Sequence, residues 1–262
     1  MAPDTTKLSS LFETIKKEFP HTISEHGWYT LTASVLITAS TPTDITHLYN
    51  FLISQPEWST HEQRKILSRR LREQMLKQWV VIGIPKVITA VFSLAQIEKL
   101  EDADLSFTRY SINSPLKMKY DTQKGKENKN FNLTSSREGV TISPEINARG
   151  RELCYSLYGE EGYNSIMASC GSFSADFTWA SDNIIYGMFL SDESIINRVE
   201  TSLMAISCMQ CMGLQGTSKR HLNGLKNHGV SDEDIGAVIS SARRIADWAG
   251  LDTAEWVTVN DL

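Results

Sequence analysis

Cysteine is scarce in this chain, four in 262 residues, and proline little commoner at seven. Four thiols at this length make no disulfide framework of the kind that holds small secreted domains together, so the fold has to rest on a buried core. Long hydrophobic runs are missing as well. The longest apolar stretches, such as Trp79 to Pro85, fall far short of the ~20 residues that a bilayer-spanning helix needs. The opening MAPDTTKLSSLFETIKKEFP lacks both the apolar segment of a secretory signal and the Arg-rich, acid-poor character of a mitochondrial presequence. The final Asn-Asp-Leu is no recognised peroxisomal address. Positive charge is not in excess either: the net charge of −5 excludes a general nucleic-acid binder. The expectation is an intracellular chain, cytoplasmic first with mitochondrial and peroxisomal locations left open, and with no membrane or nucleic-acid partner. In such a reducing compartment a close thiol pair points to redox or metal chemistry rather than to a structural bridge.

Hairpin signals are absent from the first hundred residues, and what is there reads as helix, with the β-branched residues of Trp28 to Ala39 leaving a strand open at that one stretch. Leu8, Leu11, Phe12, Ile15 and Phe19 recur at helical spacing up to Pro20, and Trp28 to Ala39 predicts a second, more fully apolar helix. Ile45, Leu48, Tyr49 and Leu52 mark a third. Thr60-His61-Glu62-Gln63 fits a capping box opening a long helix to about Ile82, and Gly83-Ile84-Pro85 interrupts it before helix resumes at Lys86. From Glu101 to Ser143 the chain turns polar, with Lys117, Lys119, Lys124, Lys126 and Lys129, and too few large apolar residues to bury itself. Helical pattern returns at Pro144 and continues to a final helix capped at Ser231 and stopped by Gly250. The expected fold class is all-α, in three parts: a helical half over 1–100, a polar linker over 101–143, and a second helical half over 144–262. Gly83-Ile-Pro-Lys86 and Gly216-Thr-Ser-Lys219, 133 positions apart, each separate a long helix from a shorter one and hint at an internal repeat.

Most of the chemistry lies between Ser191 and Gly229. Ser191 reads as the cap of a helix in which Glu200, Met204, Cys208 and Cys211 share one face. The next helix carries His221 and ends at Gly229, which suits a left-handed terminus. Packed antiparallel, the two would bring an imidazole towards a carboxylate and two thiols, a set able to move protons and electrons. Each residue has a plainer reading too: the cysteines as small core residues, Glu200 as a partner of Arg198, and His221 as surface charge beside Lys219 and Arg220. Cys208, Cys211 and His221 are too few for a closed zinc shell, so neither a metal nor another cofactor is expected.

His221-Leu-Asn-Gly-Leu-Lys-Asn-His-Gly229-Val-Ser-Asp-Glu-Asp-Ile235 resembles the helix, turn and following helix of the alkylhydroperoxidase D-like (carboxymuconolactone decarboxylase) superfamily. The first half is similar to fungal members with two such halves, through Trp28-Tyr29, Ala39-Ser40, Pro42, Arg72-Glu73-Gln-Met-Leu-Lys77 and Gly83-Ile-Pro-Lys86. The resemblance implies an all-α fold of two similar halves and a homo-oligomer. In the peroxidase branch it implies a Glu, a Cys-x-x-Cys twelve positions on, and a His with three residues between it and the second cysteine. This chain departs from that pattern. Cys208 is eight positions after Glu200, and the position where a histidine is due after Cys211 holds Gln215. His221 keeps its distance from Gly229 and so keeps the motif register from that side.

Three functional readings follow. In the first, a thiol-dependent oxidoreductase reduces peroxide with Cys211 attacking, Cys208 resolving and Glu200 and His221 relaying protons, served by a thiol reductant protein. Against it, the thiols sit near the negative end of a helix, so Lys219, Arg220 or His221 would have to supply the positive field. In the second, Glu200 and His221 act as base and acid on a small carboxylated or lactone substrate. The third is a helical scaffold that binds partners and has lost the site.

Overall fold

The computed structural model describes residues 7–104 and 142–262. The lysine-rich stretch, read above as a linker, lies for the most part outside these residues. Among the described residues the chain is all-α. The helices are α1 (Leu8–Glu18), α2 (Gly27–Ala39), α3 (Ile45–Ile53), α4 (His61–Ile82), α5 (Ile84–Ile97), α6 (Pro144–Tyr158), α7 (Glu160–Ala168), α8 (Ser174–Ala180), α9 (Arg198–Cys211), α10 (Gln215–Asn227) and α11 (Asp232–Trp248). A wider π-helical segment, Ser181–Leu190, continues α8. None of them is long and apolar enough to cross a membrane.

Local signals set most of the boundaries. Thr60 and Gln63 form the expected capping box at α4, and Ser231 accepts from the Asp234 N–H at the start of α11. Gly229 ends the turn after α10 at φ 83°, a conformation that costs a residue with a Cβ. One boundary differs from the expectation. The helix expected to be capped by Ser191 starts six residues later, because Asn197 caps it. The Asn197 side chain accepts from the Glu200 N–H at 2.9 Å, and the Glu200 carboxylate accepts from the Asn197 N–H at 3.0 Å. That reciprocal pair satisfies two backbone donors at once and outcompetes a cap further upstream.

α2 is the central rod. Twelve of its thirteen residues are buried, which is why its sequence shows no polar face. One core gathers α1 to α5 around α2 and draws in Leu203, Leu222, Ile235 and Ile245 from α9, α10 and α11. Residues 7–100 and 144–262 therefore share a core. A smaller cluster lies on the other side of α9, where Met204, Ala205 and Cys208 meet Leu153 and Leu157 of α6 and Leu190. α6 and the π segment approach closely at two glycines: a Cβ on Gly150 would lie 2.1 Å from the Asp182 carbonyl oxygen. α9 is thus buried on both sides, and the candidate site takes its character from that.

Candidate functional site

The Glu200 carboxylate sits in the first turn of α9 and is fully engaged. Besides the cap, its Oε1 accepts from Arg70 Nη2 at 2.5 Å and from Ser24 Oγ at 2.9 Å. Arg70, on α4, also donates to the Tyr29 hydroxyl at 2.6 Å and to the Ile195 carbonyl at 2.8 Å. Both partners are largely shielded from water, so the charges are strongly attracted and neither is idle. Two helical turns along α4 from Arg70, the buried Lys77 ammonium bonds the carbonyls of Leu190 (3.2 Å) and Asp192 (2.6 Å) and the Thr201 hydroxyl (2.8 Å). Arg70 and Lys77 together tie α4 to the start of α9.

Cys208 lies two turns further along α9, roughly 12 Å from Glu200 along the helix axis at 1.5 Å per residue. Its Sγ accepts from Gln78 Nε2 at 3.4 Å and from Thr38 Oγ1 at 3.5 Å, and it is wholly buried. Burial pushes this thiol up to about 12, against the smaller downward pull of those two hydrogen bonds and of Lys86. Cys211 is pushed above the ordinary thiol range by burial and then by its neighbour Cys208, again opposed by Lys86. Lys86 reaches in from the start of α5 to the Thr38 carbonyl. Both sulfurs are therefore neutral thiols at physiological pH.

His221 is buried on α10 and faces α9 at Thr201, Ser202 and Ala205 across a small cavity. No hydrogen bond joins it to Glu200 or to either thiol among the described residues. Its Nε2 instead lies 2.9 Å from the Tyr158 hydroxyl, which lies 2.8 Å from the Tyr186 hydroxyl. Nδ1 has no partner among the described residues. Burial alone lowers the imidazole to about 4, so it is neutral at physiological pH and can accept or donate a proton at Nε2 according to tautomer. Burial raises both tyrosines, Tyr186 the more, while Tyr158 is drawn back a little by its bond to Tyr186 and by Arg220.

The two tyrosines line a pocket of about 140 Å³ with Tyr163, Thr217 and Arg220. Arg220 is exposed at its edge, one residue from His221. Counting back from His221 by the motif spacing, the second cysteine position falls on Thr217 and the first on Leu214, which is exposed. The pocket thus presents a hydroxyl where the peroxidase pattern has a thiol. Tyr158, Tyr186 and Arg70 were not among the sequence candidates, because nothing in the linear pattern pairs Tyr158 with a histidine 63 positions away. The capping-box spacing Asn197-Arg-Val-Glu200 is the signal that would have revealed the role of Glu200.

Among the described residues, His61, Glu101 and Asp102 are close enough to share an ion. Arg64 occupies that place, with its Nε 2.9 Å from Asp102 Oδ1 and Nη2 3.2 Å from His61 Nδ1.

Residues 175–258 match the model of the carboxymuconolactone decarboxylase family, a stretch that holds Glu200, Cys208, Cys211, Thr217, Arg220 and His221. A relative, peroxisomal protein 2 of the fission yeast Schizosaccharomyces pombe, is 31% identical over 94 residues, 34% of this chain and 42% of that protein. The chain therefore spans less than half the length of that relative. No solved structure matches.

Proposed function

We propose, from the premise that residues 175–258 form a carboxymuconolactone decarboxylase family segment, that the chain is an acid–base enzyme acting on a small carboxylated, lactone-like substrate. The observation that carries this reading is the His221–Tyr158–Tyr186 chain at the wall of the tyrosine pocket, with Arg220 at its mouth. A guanidinium is the side chain best shaped to hold a carboxylate. The pocket has room for about one small ring. Loss of carbon dioxide from such a substrate breaks the bond to the carboxylate carbon and leaves its electron pair on the lactone, which then needs a proton. The Tyr158 hydroxyl lines the pocket and gives that proton, and it is replaced through Nε2 of His221, which takes up a proton from water at Nδ1 in the same transfer and so stays neutral. A buried, neutral imidazole suits this task because it holds no charge that the substrate carboxylate would capture.

In this reading Glu200 is a positioning residue that fixes the start of α9 through Arg70 and Asn197. The test is a screen for carbon dioxide release from γ-lactone carboxylates, 4-carboxymuconolactone among them. Arg220→Ala is expected to raise KM about tenfold or more with a smaller effect on kcat, and Tyr158→Phe to lower kcat. An Arg220→Ala enzyme with unchanged KM would remove the anchor from the proposal.

A second reading keeps the thiols. Cys208 has two hydrogen-bond donors, and Lys86 pulls both sulfurs towards the thiolate, as a peroxide-reducing pair requires. It needs peroxide to drive a Cys208–Cys211 disulfide, visible by mass spectrometry, and a thiol reductant protein to return it. The pull is smaller than the push of burial, so we place this reading second. The name of the fission-yeast relative points to the peroxisome, and co-localisation of this chain with a peroxisomal matrix marker tests that compartment for it.

A further inference from the structure

The tyrosine pocket does not end at Arg220. A wider groove of about 550 Å³ lies between the α6–α7 turn and α10, and it shares Tyr158, Ile166 and Arg220 with the pocket. Gly159 and Gly162 form part of its wall, and a Cβ on either would meet nothing within 4 Å, so the groove is open there. Along α10, Arg220, Asn223 and Asn227 fall at i, i+3 and i+7 and line it as one polar stripe.

Their states differ. The Asn227 amide donates to the Ser156 carbonyl at 3.2 Å and is engaged. Arg220 and the half-buried Asn223 have neither a hydrogen bond nor an ion pair among the described residues. The substrate carboxylate takes the guanidinium in the reading above, which leaves the Asn223 amide open beside it. A carboxamide offers two donors and an acceptor, so it suits a neutral hydrogen-bonding group. Among the described residues no aspartate or glutamate lines the groove to hold a cation, and its one cationic side chain, Arg220, is already matched by the carboxylate. The two positions lie roughly 4.5 Å apart along the helix axis, so an arm of a few atoms spans them.

We infer that the substrate of the acid–base centre is a lactone carboxylate with a short, neutral polar arm, which leaves the pocket past Arg220 and hydrogen-bonds Asn223 in the groove. Asn223 is then a specificity-determining residue: it selects which lactone is held and takes no part in proton transfer. The inference rests on the acid–base reading, whose chemistry it leaves unchanged.

The test uses the full chain and three probes: a γ-butenolide with its carboxylate on the ring carbon next to the ring oxygen, and the same acid with a carbamoylmethyl or a carboxymethyl arm on that carbon. The two arms have nearly the same shape and differ in charge. Kd is read by saturation-transfer NMR, and carbon dioxide release is followed separately. Two variants accompany the parent. Asn223→Ala removes the amide, and Gly162→Phe fills the groove from a position whose Cβ meets nothing within 4 Å, so neither threatens folding. The carbamoylmethyl compound is expected to bind the parent about tenfold more tightly than the bare acid, and the carboxymethyl compound no more tightly than the bare acid. Each variant is expected to remove the tenfold gain and to leave the Kd of the bare acid unchanged. A bare acid that binds and loses carbon dioxide, with no gain from the neutral arm or with a gain that both variants keep, would overturn the inference and spare the acid–base centre. A bare acid that neither binds nor loses carbon dioxide would overturn the centre and this inference together.

Discussion

Replacing Glu200 by alanine separates a structural carboxylate from a proton-relaying one. Glu200 and Arg70 keep only 4% and 12% of their side-chain surface in water, and the pair is closed at 2.5 Å. Removing one member of a buried ion pair leaves the other charge uncompensated, which costs about 3–5 kcal/mol. Here Arg70 would retain the Tyr29 hydroxyl and the Ile195 carbonyl, both neutral, so the lower part of that range applies. Loss of the capping box at α9 adds about 1 kcal/mol. The expected total is about 4 kcal/mol, or some 10 °C in Tm for a protein of this size. Glu200→Gln keeps one oxygen, for the Asn197 N–H on one side or the Ser24 hydroxyl on the other, while losing the charge, so it should fall about midway. The assay is urea unfolding followed by far-ultraviolet circular dichroism, with calorimetry for Tm. A Glu200→Ala protein that melts within ~2 °C of the parent would refute this reasoning and return Glu200 to the proton-transfer role.

Other perturbations have equally direct readouts. Burial holds the folded His221 at about 4, below the ordinary 6.5, so the unfolded chain binds its proton first as pH falls. Stability should be fully present above pH ~6.5 and decline by about 3 kcal/mol down to pH ~4, a slope that His221→Gln should remove from urea unfolding curves. With Cys208 pushed up to about 12, only about one molecule in 10⁴ carries its thiolate at pH 8. Iodoacetamide should therefore label Cys208 after denaturation and hardly at all before it, as read by peptide mass spectrometry, and rapid native labelling would favour the thiol reading. Gly150→Ala places a Cβ against the Asp182 carbonyl and should cost about 3 kcal/mol by the same unfolding assay, because backbone faces it and cannot swing aside.

The sequence made the helical architecture legible wherever a local signal decided the outcome. The apolar run Trp28–Ala39, the Thr60–Gln63 capping box, the cap at Ser231 and the glycine at 229 each act within one or two turns, and each stands as expected. Ser191 looked like a cap for the same reason but lost to Asn197, whose box with Glu200 satisfies two donors rather than one. The resemblance was read from the register between His221 and Gly229, and residues 175–258 match the model of the carboxymuconolactone decarboxylase family. Long-range pairing was not legible. Arg70 meets Glu200 across 130 positions and Tyr158 meets His221 across 63, and no periodicity encodes either meeting. The state of the thiols was hidden for a related reason: their desolvation depends on α9 being covered on both sides, a property of the assembled core rather than of the helix.

The assignment of acid–base work to the imidazole rather than to the sulfurs is tested most directly by one side-by-side measurement. It compares kcat for carbon dioxide release by the parent, His221→Gln and the Cys208→Ser/Cys211→Ser double variant, on the best substrate from the lactone carboxylate screen. The expected result is a fall of about 10²-fold or more for His221→Gln and little change for the double variant. Full activity in His221→Gln, or its loss in the double variant with folding intact, would contradict the assignment and move the chemistry to the thiols.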